Sequence, residues 1–127
     1  MSGKVTVLGA GTMGHGIAQL YSQAGYDVFL YDIKAEFLSN AVTRISTNLN
    51  MLIHEGVIGE KDKESALSHI FTTTNLEEAV RDTSFVTEAA SENIEIKFSL
   101  FKQLEELIED DTVIVQHLLR KKSKVEI

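Results

Sequence analysis

The run Val5-Thr6-Val7-Leu8-Gly9-Ala10-Gly11-Thr12-Met13-Gly14 sets the fold of this chain. A short apolar segment leads straight into Gly-Xaa-Gly-Xaa-Xaa-Gly, the pattern of a strand that turns sharply into a helix beneath a dinucleotide. Each glycine has its own mechanical role. Gly9 allows the tight turn, Gly11 lets backbone approach a pyrophosphate, and Gly14 lets the helix pack closely on the sheet. Free N–H groups and the positive end of the helix dipole then favour an anion, with no basic side chain required. Ala10, Thr12 and Met13 fill the remaining places of the loop and are expected at the ligand with the glycines.

Three glycines at these offsets arise by chance in a chain this long roughly one time in 25, at an average glycine content of ~7%. The flanks therefore have to carry the assignment. Ile17, Leu20, Tyr21 and Ala24 recur at i, i+3, i+4 and i+7, which predicts the apolar face of a helix that Gly25 ends. Val28-Phe29-Leu30-Tyr31 predicts a second strand, and Asp32 stands at its carboxyl end, 18 residues beyond Gly14. A carboxylate that accepts hydrogen bonds from a ribose belongs at that place.

Downstream, Phe37, Leu38, Ala41, Ile45, Leu49, Leu52 and Ile53 keep helical spacing as far as Gly56, and Glu60 to Ser68 predicts a second, shorter helix. A βαβ crossover needs only one helix, so this pair, about residues 36–68, is expected as an insertion projecting from the sheet. Ile70-Phe71-Thr72-Thr73 predicts a third strand, Asn75 a helix N-cap with Glu77 and Glu78 in the first turn, and Ser84 to Glu88 a fourth strand. A helix from Glu92 to Ile108, with Ile94, Phe98, Phe101, Leu104 and Ile108 on one face, and a strand from Thr112 to Val115 complete the pattern. Alternating strands and helices imply an α/β fold: a Rossmann-type doubly wound parallel sheet of order 3-2-1-4-5, with the helical pair inserted after the second strand.

Composition bounds the remaining possibilities. A chain of 127 residues with 43% apolar and 24% charged residues is expected to form one globular domain. There is no cysteine, hence no disulfide and no thiolate metal site or nucleophile. No apolar run reaches the ~18 residues of a membrane span, and the first strand starts too early to leave room for a signal peptide, so the cytoplasm is the expected location. Residues 1–116 carry 8 basic against 18 acidic side chains, a net of −10, whereas Arg120, Lys121, Lys122 and Lys124 crowd the last eight residues. The acidic body is expected to repel nucleic acid, and the basic run reads as a solvated end. His15, His54, His69 and His117 have no carboxylate at a spacing that implies a dyad, and no grouping implies a metal site.

From Lys4 to about Val115 the chain resembles the amino-terminal domain of the 3-hydroxyacyl-CoA dehydrogenases, including the 3-hydroxybutyryl-CoA members. The likeness rests on Gly9-Ala10-Gly11-Thr12-Met13-Gly14-His15-Gly16-Ile17-Ala18, on Tyr31-Asp32, on the helical insertion, and on Glu88-Ala89-Ala90-Ser91-Glu92-Asn93-Ile94-Glu95-Ile96-Lys97. It implies NAD as cofactor and, for the full-length enzyme, an acyl-CoA substrate, oxidation of 3-hydroxyacyl-CoA to 3-ketoacyl-CoA in fatty-acid or butanoate metabolism, and room for an oligomer. By the same resemblance Asp32 binds the adenosine ribose, and Glu92 and Lys97 lie beside the nicotinamide half. The residues alone allow a plainer reading of the last two, a glutamate favouring a helix dipole and a solvated lysine.

The helical pair resembles the element that contacts CoA in the family, yet by counting from Asp32 the family's serine and lysine contacts fall near Asn48 and Glu55, and a carboxylate suits a phosphate poorly. After Val115 the family continues with an Asn-Thr-Ser segment, a histidine and glutamate forming the acid–base pair, and a helical carboxyl-terminal domain. Residues 116–127 are unlike it. Residues 1–115 are accordingly expected to be the NAD-binding domain of a truncated or frame-shifted dehydrogenase, inactive alone and without catalytic residues of its own, and whether the chain counts as an enzyme stays open. Two other readings stand beside this one: a module that senses or carries NAD without chemistry, and the same fold holding FAD.

Overall fold

The computed structural model describes residues 3–89, 94–109 and 112–116; Glu92 and the basic segment 117–127 lie outside the described residues. Strands β1 (Lys4–Leu8), β2 (Asp27–Tyr31), β3 (Ile70–Thr73), β4 (Phe85–Glu88) and β5 (Val113–Gln116) form one parallel sheet. Its order is β3-β2-β1-β4-β5, as the alternation of elements and right-handed crossovers require. The central strand β1 pairs Val5 with Val28 on one side and Val5 with Phe85 on the other. Between the strands run helices α1 (Thr12–Gln23), α2 (Ala35–His54), α3 (Glu60–Ser68), α4 (Leu76–Val80) and α5 (Ile94–Leu107).

Successive strand residues point to opposite faces, so each buried strand feeds two cores. Val7, Val28 and Leu30 pack with α1, α2 and α3, through Ala18, Leu38, Ala41, Ile45, Leu49 and Ala66. Leu8 and Val86 pack on the other side with Leu76, Ala79 and Val80 of α4 and Leu100 and Leu104 of α5. Thr6, wholly buried in the central strand, has its hydroxyl 2.6 Å from the Ala79 carbonyl and 2.9 Å from the Thr83 hydroxyl, so its polar group is satisfied. Asn75 caps α4 by accepting from the Glu78 N–H at 2.9 Å, as its type and position predict.

Two helix faces and the insertion differ from expectation. In α1 the buried residues are Gly14, Ala18, Gln19 and Ser22, with Ile17 and Tyr21 partly buried, whereas Leu20 is 68% exposed. The smallest side chains face the sheet because the helix starts in contact with the strand's own loop, and a leucine would hold it off. In α5 Leu100 and Leu104 are buried, while Phe98, two residues and about 200° before Leu100, is 66% exposed. The helical pair does not simply project: Leu38, Ala41, Ile45 and Leu49 are at most 4% exposed within the core, and the outlying part is the far end around Met51 and Val57.

The contact that sets the start of α1 lies between Gly14 and Gly9. Gly9 has φ +108°, a conformation that L side chains rarely adopt, and a Cβ built on Gly14 collides with the Gly9 carbonyl. Gly16, further along the same helix, would place a Cβ in open space. Gly14→Ala is therefore expected to lower unfolding free energy by about 3 kcal/mol or more. Gly16→Ala is expected to raise it by up to ~1 kcal/mol through helix propensity. Urea unfolding of the two variants measures both, and similar effects at the two positions would contradict the close approach at Gly14.

Candidate functional site

The doubly wound order reverses at β1, whose neighbours β2 and β4 lead to opposite halves of the sheet. A crevice forms beyond the carboxyl ends of strands at such a point. Here it encloses about 810 Å³, inside the range of roughly 300–1,000 Å³ that small-molecule pockets occupy. Gly9, Ala10, Gly11 and Thr12 line it from the loop, Tyr31, Asp32 and Ile33 from the end of β2, Phe37, Asn40, Ala41 and Arg44 from α2, and Glu95, Ser99, Leu100 and Gln103 from α5.

Backbone hydrogen bonds carry the loop from sheet to helix. Gly9 N–H donates to the Tyr31 carbonyl at 2.8 Å, continuing the ladder of β1 and β2, and the next N–H, that of Ala10, donates to Asp32 Oδ2 at 2.8 Å. Asp32 Oδ1 accepts from its neighbour Ile33 N–H at 2.7 Å. Each carboxylate oxygen has a further lone pair available, so Asp32 can hold the loop and accept from a pair of vicinal hydroxyls together. Burial and then the Asp32 charge push the Tyr31 phenol above its ordinary pKa.

The other end of the crevice suits an anion. Gly11, the N-cap of α1, provides no side-chain cap, and α1 is the one described helix without an acidic residue in its first turn. Its first N–H groups thus lack the internal carboxylate that the other helices carry. A Cβ at Gly11 would meet nothing within 4 Å, so the backbone stands open on that side. A dinucleotide's acidic diphosphate and its ribose diol match these two ends, and the residues present fit NAD.

Of the residues named from sequence, the structure brings Gly9, Ala10, Gly11, Thr12 and Asp32 to one cavity, and Gly14 supports them from beneath. Met13 follows on α1 and is 42% exposed without lining the cavity. Glu92 lies outside the described residues, and Lys97 lies on α5 with its side chain undescribed. Sequence reading missed the face of α2 that lines the crevice, Phe37, Asn40, Ala41 and Arg44 at i, i+3, i+4 and i+7, because the apolar periodicity beside it pointed only to core.

The histidines need one correction. His69 Nδ1 lies 2.9 Å from Asp27 Oδ1, a histidine–carboxylate pair made by residues 42 apart in sequence, where local spacing predicts no pairing. Asp27 opens β2, so this pair sits at the amino ends of the strands, a strand's length from the crevice. His15 is turned to the loop, its Nδ1 3.0 Å from the Gly11 carbonyl and its Nε2 3.5 Å from Asn48 Nδ2. Asn48 donates to Gln19 Oε1 at 3.0 Å and so ties α2 to α1. Among the described residues no group of three histidine or acidic side chains could hold a metal, and no helix is long and apolar enough to cross a membrane.

The profile described as 3-hydroxyacyl-CoA dehydrogenase, NAD binding domain, matches residues 4–117. The chain is 35% identical to the 3-hydroxybutyryl-CoA dehydrogenase of Clostridioides difficile over 111 residues, 87% of this chain and 39% of that protein. It is 38% identical to the 3-hydroxyadipyl-CoA dehydrogenase of Escherichia coli K12 over 110 residues, 87% of this chain and 23% of that protein. Among solved structures, (S)-3-hydroxybutyryl-CoA dehydrogenase PaaH1 from Ralstonia eutropha superposes with a TM-score of 0.85 at 34% identity, covering 89% of this chain and 40% of that one. The chain thus spans well under half the length of these relatives, and the family description decides for NAD over FAD. Matched over residues 4–117 and superposing closely on a solved member, the chain belongs to the 3-hydroxyacyl-CoA dehydrogenase family as an NAD-binding domain.

Proposed function

We propose that this chain holds NAD for a 3-hydroxyacyl-CoA dehydrogenase, the rest of which supplies the acid–base pair and most of the acyl-CoA site. The observation that carries the reading is the crevice itself: one carboxylate, Asp32, at the end of β2, facing an uncapped helix N-terminus across an open glycine loop. Adenosine ribose hydroxyls donate to Asp32, the diphosphate accepts from N–H groups of the loop and α1, and the nicotinamide extends toward α5. The complete enzyme then transfers hydride between the nicotinamide and C3 of an acyl thioester. A net charge of −7 supports a protein without nucleic-acid partners.

Asp32 makes NAD preferable to NADP, because a 2′-phosphate would meet its negative charge and would displace a hydroxyl donor. Isothermal titration is expected to show NAD bound roughly 10- to 100-fold more tightly than NADP. Asp32→Asn, which keeps an acceptor for the Ala10 N–H, is expected to narrow that ratio by weakening NAD and relieving NADP. Equal affinities of the unchanged chain for the two cofactors would sink the assignment of Asp32.

Glu92 and Lys97 are proposed beside the nicotinamide. The family resemblance supports this, as does the position of Lys97 on α5, the helix that lines the crevice opposite α2. Alanine at either position is expected to weaken NAD while leaving ADP-ribose, which lacks the nicotinamide, within about twofold. Equal losses for both ligands would mean structural damage.

Turnover requires a proton donor within hydrogen-bond reach of the substrate carbonyl. The one described histidine–carboxylate pair, His69 with Asp27, lies at the amino ends of the strands, and His15 is engaged by the loop carbonyl and Asn48. This polypeptide alone is therefore expected to bind NADH yet show no NADH oxidation with acetoacetyl-CoA above a protein-free control. Turnover that survives repurification and disappears in Gly11→Val would contradict the reading.

A further inference from the structure

Arg44 is a side chain that neither the glycine pattern nor the family resemblance singles out. It projects from the third turn of α2 and brings Nη1 to 3.4 Å from Thr12 Oγ1, although the two residues are 32 apart in sequence. Thr12 is the first residue of α1, where N–H groups are free and no acidic side chain stands in the first turn. Among the described side chains that line the crevice Arg44 is the cation, and among the described residues no carboxylate forms an ion pair with it. A single long contact to a neutral hydroxyl uses little of a guanidinium that carries several donors in a planar fork. The fork is thus exposed, held at the mouth of the loop, and directed to the point where helix α1 favours negative charge.

We propose that Arg44 is a phosphate-binding residue of this site, clasping the diphosphate of the bound dinucleotide from α2 while the loop N–H groups hold it from α1. The proposal rests on the NAD reading above and adds to it a cationic contact that the glycine loop does not itself require. Guanidinium suits this contact because two parallel N–H donors match two phosphate oxygens, which a lysine's point charge cannot reproduce. It also gives the helical pair a part in cofactor binding. Asn48, one turn beyond Arg44, already joins α2 to Gln19 of α1, so a diphosphate gripped between the helices would close a second tie at their loop end.

The test uses the intact chain and its Arg44→Gln and Arg44→Lys variants, titrated with ADP-ribose, 2′-phospho-ADP-ribose and adenosine. Arg44→Gln is expected to weaken ADP-ribose by about 5- to 30-fold, the range of a partly screened charge-assisted contact, with adenosine unchanged within about twofold. Arg44→Lys is expected to recover part of the loss, and the slope of log affinity against log salt is expected to become shallower in Arg44→Gln. Hydrogen exchange adds a readout that affinity alone lacks: ADP-ribose is expected to protect amides around residues 44–48 in the unchanged chain and not in Arg44→Gln. Unchanged ADP-ribose affinity in Arg44→Gln overturns the proposal, and so does an equal loss of adenosine, which would mark a structural role. A loss confined to 2′-phospho-ADP-ribose overturns the diphosphate assignment in favour of the 2′-phosphate. Failure of the unchanged chain to bind ADP-ribose would instead strike the NAD reading itself, an outcome distinct from the other three.

Discussion

Helix α1 can begin where it does only because position 14 has no side chain. The Gly9 carbonyl occupies the space that a Cβ at Gly14 would need, so the first turn of the helix rests on the strand's own exit. Everything at the carboxyl edge of the sheet inherits this distance. The helix axis points its positive end at the loop, the stripe Gly14, Ala18 and Ser22 becomes the side that meets the sheet, and Leu20 is turned to solvent. Close approach also makes room for α2, whose Ala41, Ile45 and Leu49 reach the same core from the other flank. Interiors at this density respond to a single methyl group, which is why one added atom at Gly14 matters.

Asp32 then joins the two chemistries of the crevice. It accepts the Ala10 N–H at 2.8 Å and so holds the loop against the end of β2 before any ligand arrives. A carboxylate already ordered by the backbone would lose little rotamer freedom on accepting from the ribose diol proposed for it, and such preorganisation improves affinity without any added contact. Helix α2 works on two sides at once: residues 38, 41, 45 and 49 fill the core, and residues 37, 40, 41 and 44 line the cavity. Ala41 belongs to both sets, so the crevice wall is as firm as the core behind it.

Much of this was legible in the sequence, for reasons that differ by element. Parallel strands buried on both faces are short, largely apolar runs, and Val5–Leu8 and Val28–Tyr31 stand out as such. Asp32 was legible because its offset from Gly14 is set by one helix and one strand of standard length. The helix faces were read less well. Periodicity weighs large apolar residues, whereas the fully buried positions of α1 are glycine, alanine, glutamine and serine, and the same bias puts Phe98 in the core of α5. Pairs formed across the fold left no trace in local spacing: His69 with Asp27, and Arg44 with Thr12, become neighbours only when β2 and α2 take their places.

The pairing of β1 sets an order of events. Its partner β2 lies 23 residues away and its other partner β4 lies 80 residues away, as Val5 opposite Val28 and opposite Phe85. The length-dependent part of loop closure is about 3 kcal/mol for the first and about 4 kcal/mol for the second, so entropy separates the two by only ~1 kcal/mol. Chain order separates them far more. During synthesis the glycine loop and Asp32 emerge before helix α5, which lines the opposite bank of the crevice and is complete only with Leu107. A nascent chain therefore displays the fingerprint of a nucleotide site well before it possesses the two-sided groove that would retain a nucleotide.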